Sequence, residues 1–167
     1  MITDLVQIRR LGYKKRSENA RFRVFLKSHR HSDRRLQNMA EEIQSQIDCT
    51  QCANCCRVTE TGIDARDIER LSKFLGMTRD EFLRDYTQRA ADDNELILKR
   101  NENGCVFLKD NLCTVYEARP QNCEKFPHLV RGNGSIDSRM WQFLHRAEYC
   151  PIVYNWMEKV KEDVGFR

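Results

Sequence analysis

Nothing in the sequence resembles the run of about 20 apolar residues that a membrane-spanning helix requires. Charged residues make up 32% of the chain against 40% hydrophobic, so a protein without membrane association is expected. Proline and glycine are scarce, at 3 and 7 of 167 residues. No flexible or proline-rich linker therefore divides the chain, and no low-complexity tract or internal repeat stands out. The scattered glycines form no glycine-rich loop of the kind that follows a strand and cradles a nucleotide. The order of a secretory signal is missing too: "MITDLVQIRRLGYKKR" places a short apolar run before basic residues, the reverse of a charged region followed by an apolar one. A cytoplasmic location is expected.

A chain of this size buries roughly 70% of its unfolded surface, so it can fold on an apolar core without covalent staples. Cysteine is nevertheless abundant, with eight residues, half of them in "CTQCANCC" at positions 49–56. In a reducing compartment such thiols point to metal binding or catalysis rather than to structural disulfides. Adjacent Cys55 and Cys56 could pair with each other only through a strained ring.

Hydrophobic periodicity sets the expected fold class: mainly α with a small irregular β element, a single domain with metal-stapled cysteine loops. Residues 1–48 read as a basic helical arm belonging to that domain, holding 11 Lys/Arg against 6 Asp/Glu, while the rest holds 18 against 19. Residues 49–167 read as the cysteine-cluster metal-binding domain. In the arm, Phe22, Phe25 and Leu26, then Leu36, Met39, Ile43 and Ile47, recur at helical steps, with Asp33 as the expected cap of a helix that delivers the chain to Cys49. Asp64 and Gly76 bound another helix, and Thr78 with Glu81 opens a further one across "TRDEFLRDYTQRA". "ELILKRNENGCVFLKDNLCTVY" reads as two or three short strands joined by tight turns. Two last helices follow, the second with Pro151 in its first turn.

Cys49, Cys52 and Cys55 have CxxCxxC spacing, which lets successive sulfurs converge on one centre as in zinc sites and iron–sulfur clusters. Cys55 and Cys56 have Cα atoms only about 3.8 Å apart, and neighbouring side chains ordinarily diverge. Either the two serve different centres or only one of them is a ligand; on the first reading two ligand sets are expected, Cys49, Cys52, Cys55 and Cys150 in one, and Cys56, Cys105, Cys113 and Cys123 in the other. Cys150 enters through its successor Pro151, since a CysPro element closes the bacterial ferredoxin run. Thiolates suit zinc and iron–sulfur clusters equally by softness.

Taken together, "CTQCANCC", "GCVFLKDNLCTVYEARPQNCEKFP" (104–127) and "CP" (150–151) resemble the CxxCxxCC cysteine-cluster family, the YkgJ-type zinc- or iron-chelating domains. The resemblance implies metal binding at all eight cysteines: Cys49, Cys52, Cys55, Cys56, Cys105, Cys113, Cys123 and Cys150. Some larger members of that family resemble a flagellin lysine N-methylase, yet no acid, base or nucleophile constellation is visible here, so enzymatic activity is left open.

Arg119 is expected either to donate hydrogen bonds to sulfur or to pair with Glu117, and Tyr116 to lie in the core. Among His29, His31, His128 and His145, only His128 stands near the later cysteines. The basic arm could contact nucleic acid through phosphates. "RFRVF" and the acidic Glu41, Glu42 and Asp48 interrupt a continuous stripe, which favours a protein partner surface or packing against the cysteine cluster. The function expected is a metalloprotein carrying an iron–sulfur cluster of the 4Fe–4S type in redox or maturation chemistry with a protein partner; the alternative is a zinc-stabilised interaction module without redox activity.

Overall fold

In the computed structural model, which describes residues 1–92 and 94–167, the chain begins with α1 (Leu5–Lys14), α2 (Arg16–Ser28) and α3 (Asp33–Gln44). Next come two very short helices, α4 (Cys49–Cys52) and α5 (Asn54–Val58), then α6 (Ala65–Leu75) and α7 (Arg79–Tyr86). Short strands β1 (Thr87–Arg89), β2 (Leu96–Leu98), β3 (Arg100–Asn101), β4 (Gly104–Cys105), β5 (Leu108–Lys109) and β6 (Leu112–Cys113) lead to a 3-10 turn at Tyr116–Ala118. The chain ends with α8 (Gln121–Lys125), α9 (Ile136–Arg146) and α10 (Pro151–Asp163). The protein is mainly helical with small antiparallel strand pairs, the class expected. Among the described residues no helix is long and apolar enough to cross a membrane.

The chain divides into two units, residues 1–48 with 127–167, and residues 49–126. The first is all-helical. Its apolar faces bury Phe22 and Leu26 of α2, Leu36, Met39 and Ile43 of α3, Met140 and Phe143 of α9, and Trp156, Met157 and Val160 of α10. Trp156 Nε1 donates to the Leu36 carbonyl at 3.1 Å, so the largest core side chain also has its polar atom satisfied. Part of the arm's basic excess is absorbed within this unit: Lys15 pairs with Glu158, Arg16 with Glu148, and Arg35 with Asp163. His29 stacks on Phe25 with ring centroids 3.9 Å apart.

The expected cap of α3 shifts by one residue. Ser32 takes the N-cap position, accepting from the Arg35 N–H at 3.4 Å, and Asp33 becomes the first helical residue. Its carboxylate instead accepts the Ile136 N–H at 2.6 Å, satisfying a donor at the start of α9 that has no partner within its own helix. Helix α3 also ends at Gln44, short of Cys49, and a turn through Ser45–Ile47 carries the chain onward.

In the second unit, α6 and α7 form at the caps read from the sequence. Asp64 with Asp67 and Thr78 with Glu81 make reciprocal capping boxes, and Gly76 ends α6 at φ 68°, open space surrounding the position of a Cβ. Ile68, Leu71 and Phe82 pack with Ile63, Leu98, Phe107, Val115 and Ala118 into one apolar cluster, against which Cys105 and Cys113 lie partly buried. Tyr86 stacks between Phe82 and Phe107, at 5.6 and 5.0 Å. Helix α7 stops at Tyr86 rather than running on through "TQRA": Thr87 Oγ1 donates back to the Leu83 carbonyl at 2.7 Å and Thr87–Arg89 pairs with Leu96–Leu98. A β-branched residue with a cross-strand partner here outweighs the helical pattern.

Trp156→Phe removes the donor to Leu36 and leaves space in the helical unit. Its expected cost is about 1–3 kcal/mol, seen as a lower urea midpoint with an unchanged slope.

Candidate metal centre

Seven of the eight cysteines belong to the second unit; Cys150 belongs to the first, buried at the N-cap of α10. All eight are thiols in this structure. The four histidines all lie in the helical unit, and His128, at φ 65°, offers its carbonyl to Arg139.

"CTQCANCC" folds as two helical fragments broken at one residue. Cys49 and Cys52 sit three apart in the single turn α4; Ala53, buried, adopts left-handed backbone at φ 45°; Cys55 and Cys56 follow in α5. A left-handed alanine is unfavourable by roughly 1–2 kcal/mol, and the surrounding bonds hold it. Ala53 N–H donates to the Cys49 carbonyl at 2.9 Å, and Arg57 Nη1 donates to the Cys52 carbonyl at 3.1 Å. The same guanidinium reaches Asn111 Oδ1 in the β5–β6 turn.

Cys105 and Cys113 arise from a tandem repeat that the sequence reading overlooked. "RNENGCVF" (100–107) and "LKDNLCTV" (108–115) each form a minimal antiparallel hairpin with cysteine in the sixth position. The first turn is closed by Asn101 Oδ1 accepting the Asn103 N–H at 2.8 Å. The second places Asp110 and Asn111 at φ 48° and 70°, the primed turn that matches strand twist. In each repeat the N–H two residues beyond the cysteine, from Phe107 or Val115, donates to the sulfur. Backbone N–H donors aimed at thiolate orient it and stabilise its charge, as supporting hydrogen bonds do for metal ligands. Their shared Asn-x-Cys at eight-residue spacing was the available signal.

Gly104 joins the first hairpin to α5. At φ 119° it occupies backbone that L side chains rarely adopt, and a Cβ there would lie 2.5 Å from the Cys56 carbonyl oxygen and 2.7 Å from the Arg57 Cα. Arg100, paired across the strands with Cys105, sends its guanidinium to the carbonyls of Arg57, at 2.6 Å, and Thr59. Cys123 is positioned from the other side. Asp67, 3% exposed, accepts the Gln121 N–H at 3.0 Å and pairs with Arg70, which itself donates to the Ala118 and Arg119 carbonyls. Asn122 Nδ2 donates to the Gly62 carbonyl at 2.9 Å, and Thr61 Oγ1 lies 3.9 Å from Cys123 Sγ.

Cys56, Cys105, Cys113 and Cys123 come within reach of one another's charge. A hydrogen bond from the Cys55 thiol brings Cys56 down to about 7, against the opposing effect of burial, with Arg57 and Arg100 contributing. Burial pushes Cys105 up to about 11 and Cys123 up to about 12, and raises Cys113; the charge of Cys56 adds to all three shifts. Arg119 donates to the Tyr116 carbonyl at 2.9 Å and lies 3.9 Å above the Tyr116 ring, while its charge favours ionisation of Cys113. Tyr116 is 46% exposed rather than in the core, because its ring face serves that guanidinium.

Among the described residues no three Cys, His, Asp or Glu side chains already stand at the spacing of a metal cage. The four thiols lie within reach of one another's charge without forming such a cage. The donor chemistry fits zinc and iron–sulfur clusters alike.

Converging thiols with backbone donors and arginines around them are the chemistry of a cysteine-based metal chelator. The family model "CxxCxxCC: Putative zinc- or iron-chelating domain" matches residues 48–151, and the chain belongs to that family. No solved structure matches the chain.

Gly104→Ala is expected to destabilise the protein by about 1–3 kcal/mol through its backbone conformation alone and to reduce the metal retained after desalting. Gly76→Ala, also at positive φ but with open space around it, is the comparison: it should cost about 1 kcal/mol and leave metal content unchanged.

Proposed function

We propose that this protein is a cytoplasmic iron–sulfur metalloprotein, holding a 4Fe–4S cluster through Cys56, Cys105, Cys113 and Cys123 and acting in redox or maturation chemistry with a protein partner. The observation that carries the reading is that these four thiols lie within reach of one another's charge: burial chiefly raises Cys105, Cys113 and Cys123, with the charge of Cys56 adding to each. When bound, a cluster supplies one-electron transfer at a potential set by hydrogen bonds to sulfur and by burial. The chain's own contribution is to aim the Phe107 and Val115 N–H groups at two sulfurs and to place Arg57, Arg100 and Arg119 where their charge offsets that of the thiolates. The CxxCxxC run, Cys49, Cys52 and Cys55, forms the second ligand set. Cys150 is assigned to that set on the CysPro element alone. A cytoplasmic setting suits thiols that must stay reduced to bind metal.

The second reading, a zinc-stabilised interaction module, is favoured by one feature: two cysteines presented by tight hairpins, each with a backbone donor on its sulfur, make a closed tetrathiolate economical to build. Anaerobic purification with metal and acid-labile sulfide analysis separates the two. Stoichiometric iron and sulfide support the cluster; zinc without sulfide supports the module.

Both readings share a pH dependence. Cys105, Cys113 and Cys123 have thiols raised above the ordinary range, so they are protonated in the metal-free protein at pH 8, whereas Cys56, at about 7, is mostly ionised. Zinc titration at pH 8 should therefore release close to three protons, measured by calorimetry in buffers of differing ionisation heat. Apparent affinity should fall about tenfold per pH unit for each proton released.

A further inference from the structure

Helices α1 and α2 run on as one helix. The Lys15 N–H donates to the Leu11 carbonyl at 2.9 Å and the Asn19 N–H to the Lys15 carbonyl at 2.7 Å, so bonds of helical spacing carry across the junction. Ile8, Gly12, Asn19, Phe22 and Leu26 line its buried side from end to end. A Cβ at Gly12 would lie 2.6 Å from the Ala147 carbonyl oxygen, and Lys15 and Arg16 pair with Glu158 and Glu148, so that side is fixed. The opposite side faces solvent. Val6, Tyr13 and Val24, 77%, 64% and 67% exposed, stand in line with exposed Ser17 and Ala20. At about 3.6 residues per turn, Arg9, Arg23 and Lys27 flank that line on one side and Arg10, Lys14 and Arg21 on the other.

Among the described residues none of these six cations is in an ion pair, and Glu18, the sole carboxylate of residues 5–28, is turned to Lys161. The interruptions read from the sequence fall elsewhere. In "RFRVF" Phe22 is buried and Phe25 meets the Phe166 ring at 5.2 Å, while Glu41 and Glu42 belong to α3 and Asp48 lies beyond it. The helical unit holds 17 Lys/Arg against 11 Asp/Glu, whereas residues 49–126 hold 12 against 14. The positive surplus is therefore local, and on this helix nothing within the chain neutralises it.

We propose that this face binds duplex DNA without base specificity, the helix lying in the major groove with one row of cations toward each phosphate strand. A helix with its side chains is about 10–12 Å across, and the groove is about 12 Å wide. Residues Leu5–Ser28 span about 36 Å, close to one turn of B-form duplex. Val6, Ser17, Ala20 and Val24 lack the paired donor and acceptor that reads a base edge, so phosphate contact sets affinity. The major groove of A-form RNA is too deep and narrow to be entered in this way. A bilayer surface requires an apolar helix face, and here that face is committed to the core. The proposal is independent of which cysteines hold metal.

The test titrates the full chain, as purified, into a labelled duplex of about 20 base pairs and arbitrary sequence, reading anisotropy between about 50 and about 200 mM salt. The logarithm of affinity should fall linearly with that of salt at a slope of about −5, roughly 0.9 for each of six phosphate contacts. Arg9→Gln with Arg10→Gln, and separately Arg21→Gln with Lys27→Gln, should each make the slope shallower by about 2 and weaken binding at least about tenfold at low salt. Arg66→Gln with Lys73→Gln, an equal loss of charge on exposed positions of α6, should change neither. The proposal fails if the unaltered chain does not bind, if the helix variants keep the original slope, or if the α6 pair weakens binding equally. It fails too if single-stranded DNA, duplex RNA or vesicles of phosphatidylserine and phosphatidylcholine bind more tightly than duplex DNA.

Discussion

The close approach of Gly104 to the peptide between Cys56 and Arg57 is the constraint on which the cysteine unit depends. With no side chain at 104, the first hairpin lies directly on the backbone of α5, bringing Cys105 toward Cys56. Arg100 reinforces the contact by donating to two carbonyls at the end of α5, and it is itself the strand partner of Cys105. A helix too short to be stable alone is thereby locked to a hairpin too short to be stable alone. Each supplies what the other lacks.

Charge shapes the same region. Three half-buried thiols, Cys105, Cys113 and Cys123, resist ionisation, since burial and nearby negative charge both favour the neutral form. Cys56 is the exception because Cys55 donates to it and Arg57 and Arg100 are near. On the proposed ligand set, one thiol that ionises readily stands next to three whose deprotonation metal binding would have to drive.

Much of the helical framework could be read directly. Asp64, Gly76, Thr78 and Glu81 bound their helices as expected because caps are local interactions with fixed spacing. Asp33 defeated the same reasoning, since its carboxylate answers a donor 103 residues away that no local pattern reveals. Thr87 likewise belongs to a strand because its partner, Leu98, is supplied by a distant segment. The cysteine pattern itself was legible from type and spacing as that of a metal-chelating family. The supports of the cysteines were not: Asp67, which drew no notice in its helix, completes a capping box and also anchors the start of α8, while Arg119 and Tyr116 hold one another. The paired hairpins were hidden because "RNENGCVF" and "LKDNLCTV" share turn geometry and cysteine position but few residues.

The central claim is that Cys56, Cys105, Cys113 and Cys123 act as one ligand set, and metal content after desalting tests it most directly. Serine at any one of the four should leave a protein that folds but loses most of its iron or zinc. Cys123→Ser is the most informative, because Cys123 comes from α8 rather than from the hairpins or "CTQCANCC". Full metal retention in that variant would contradict the account.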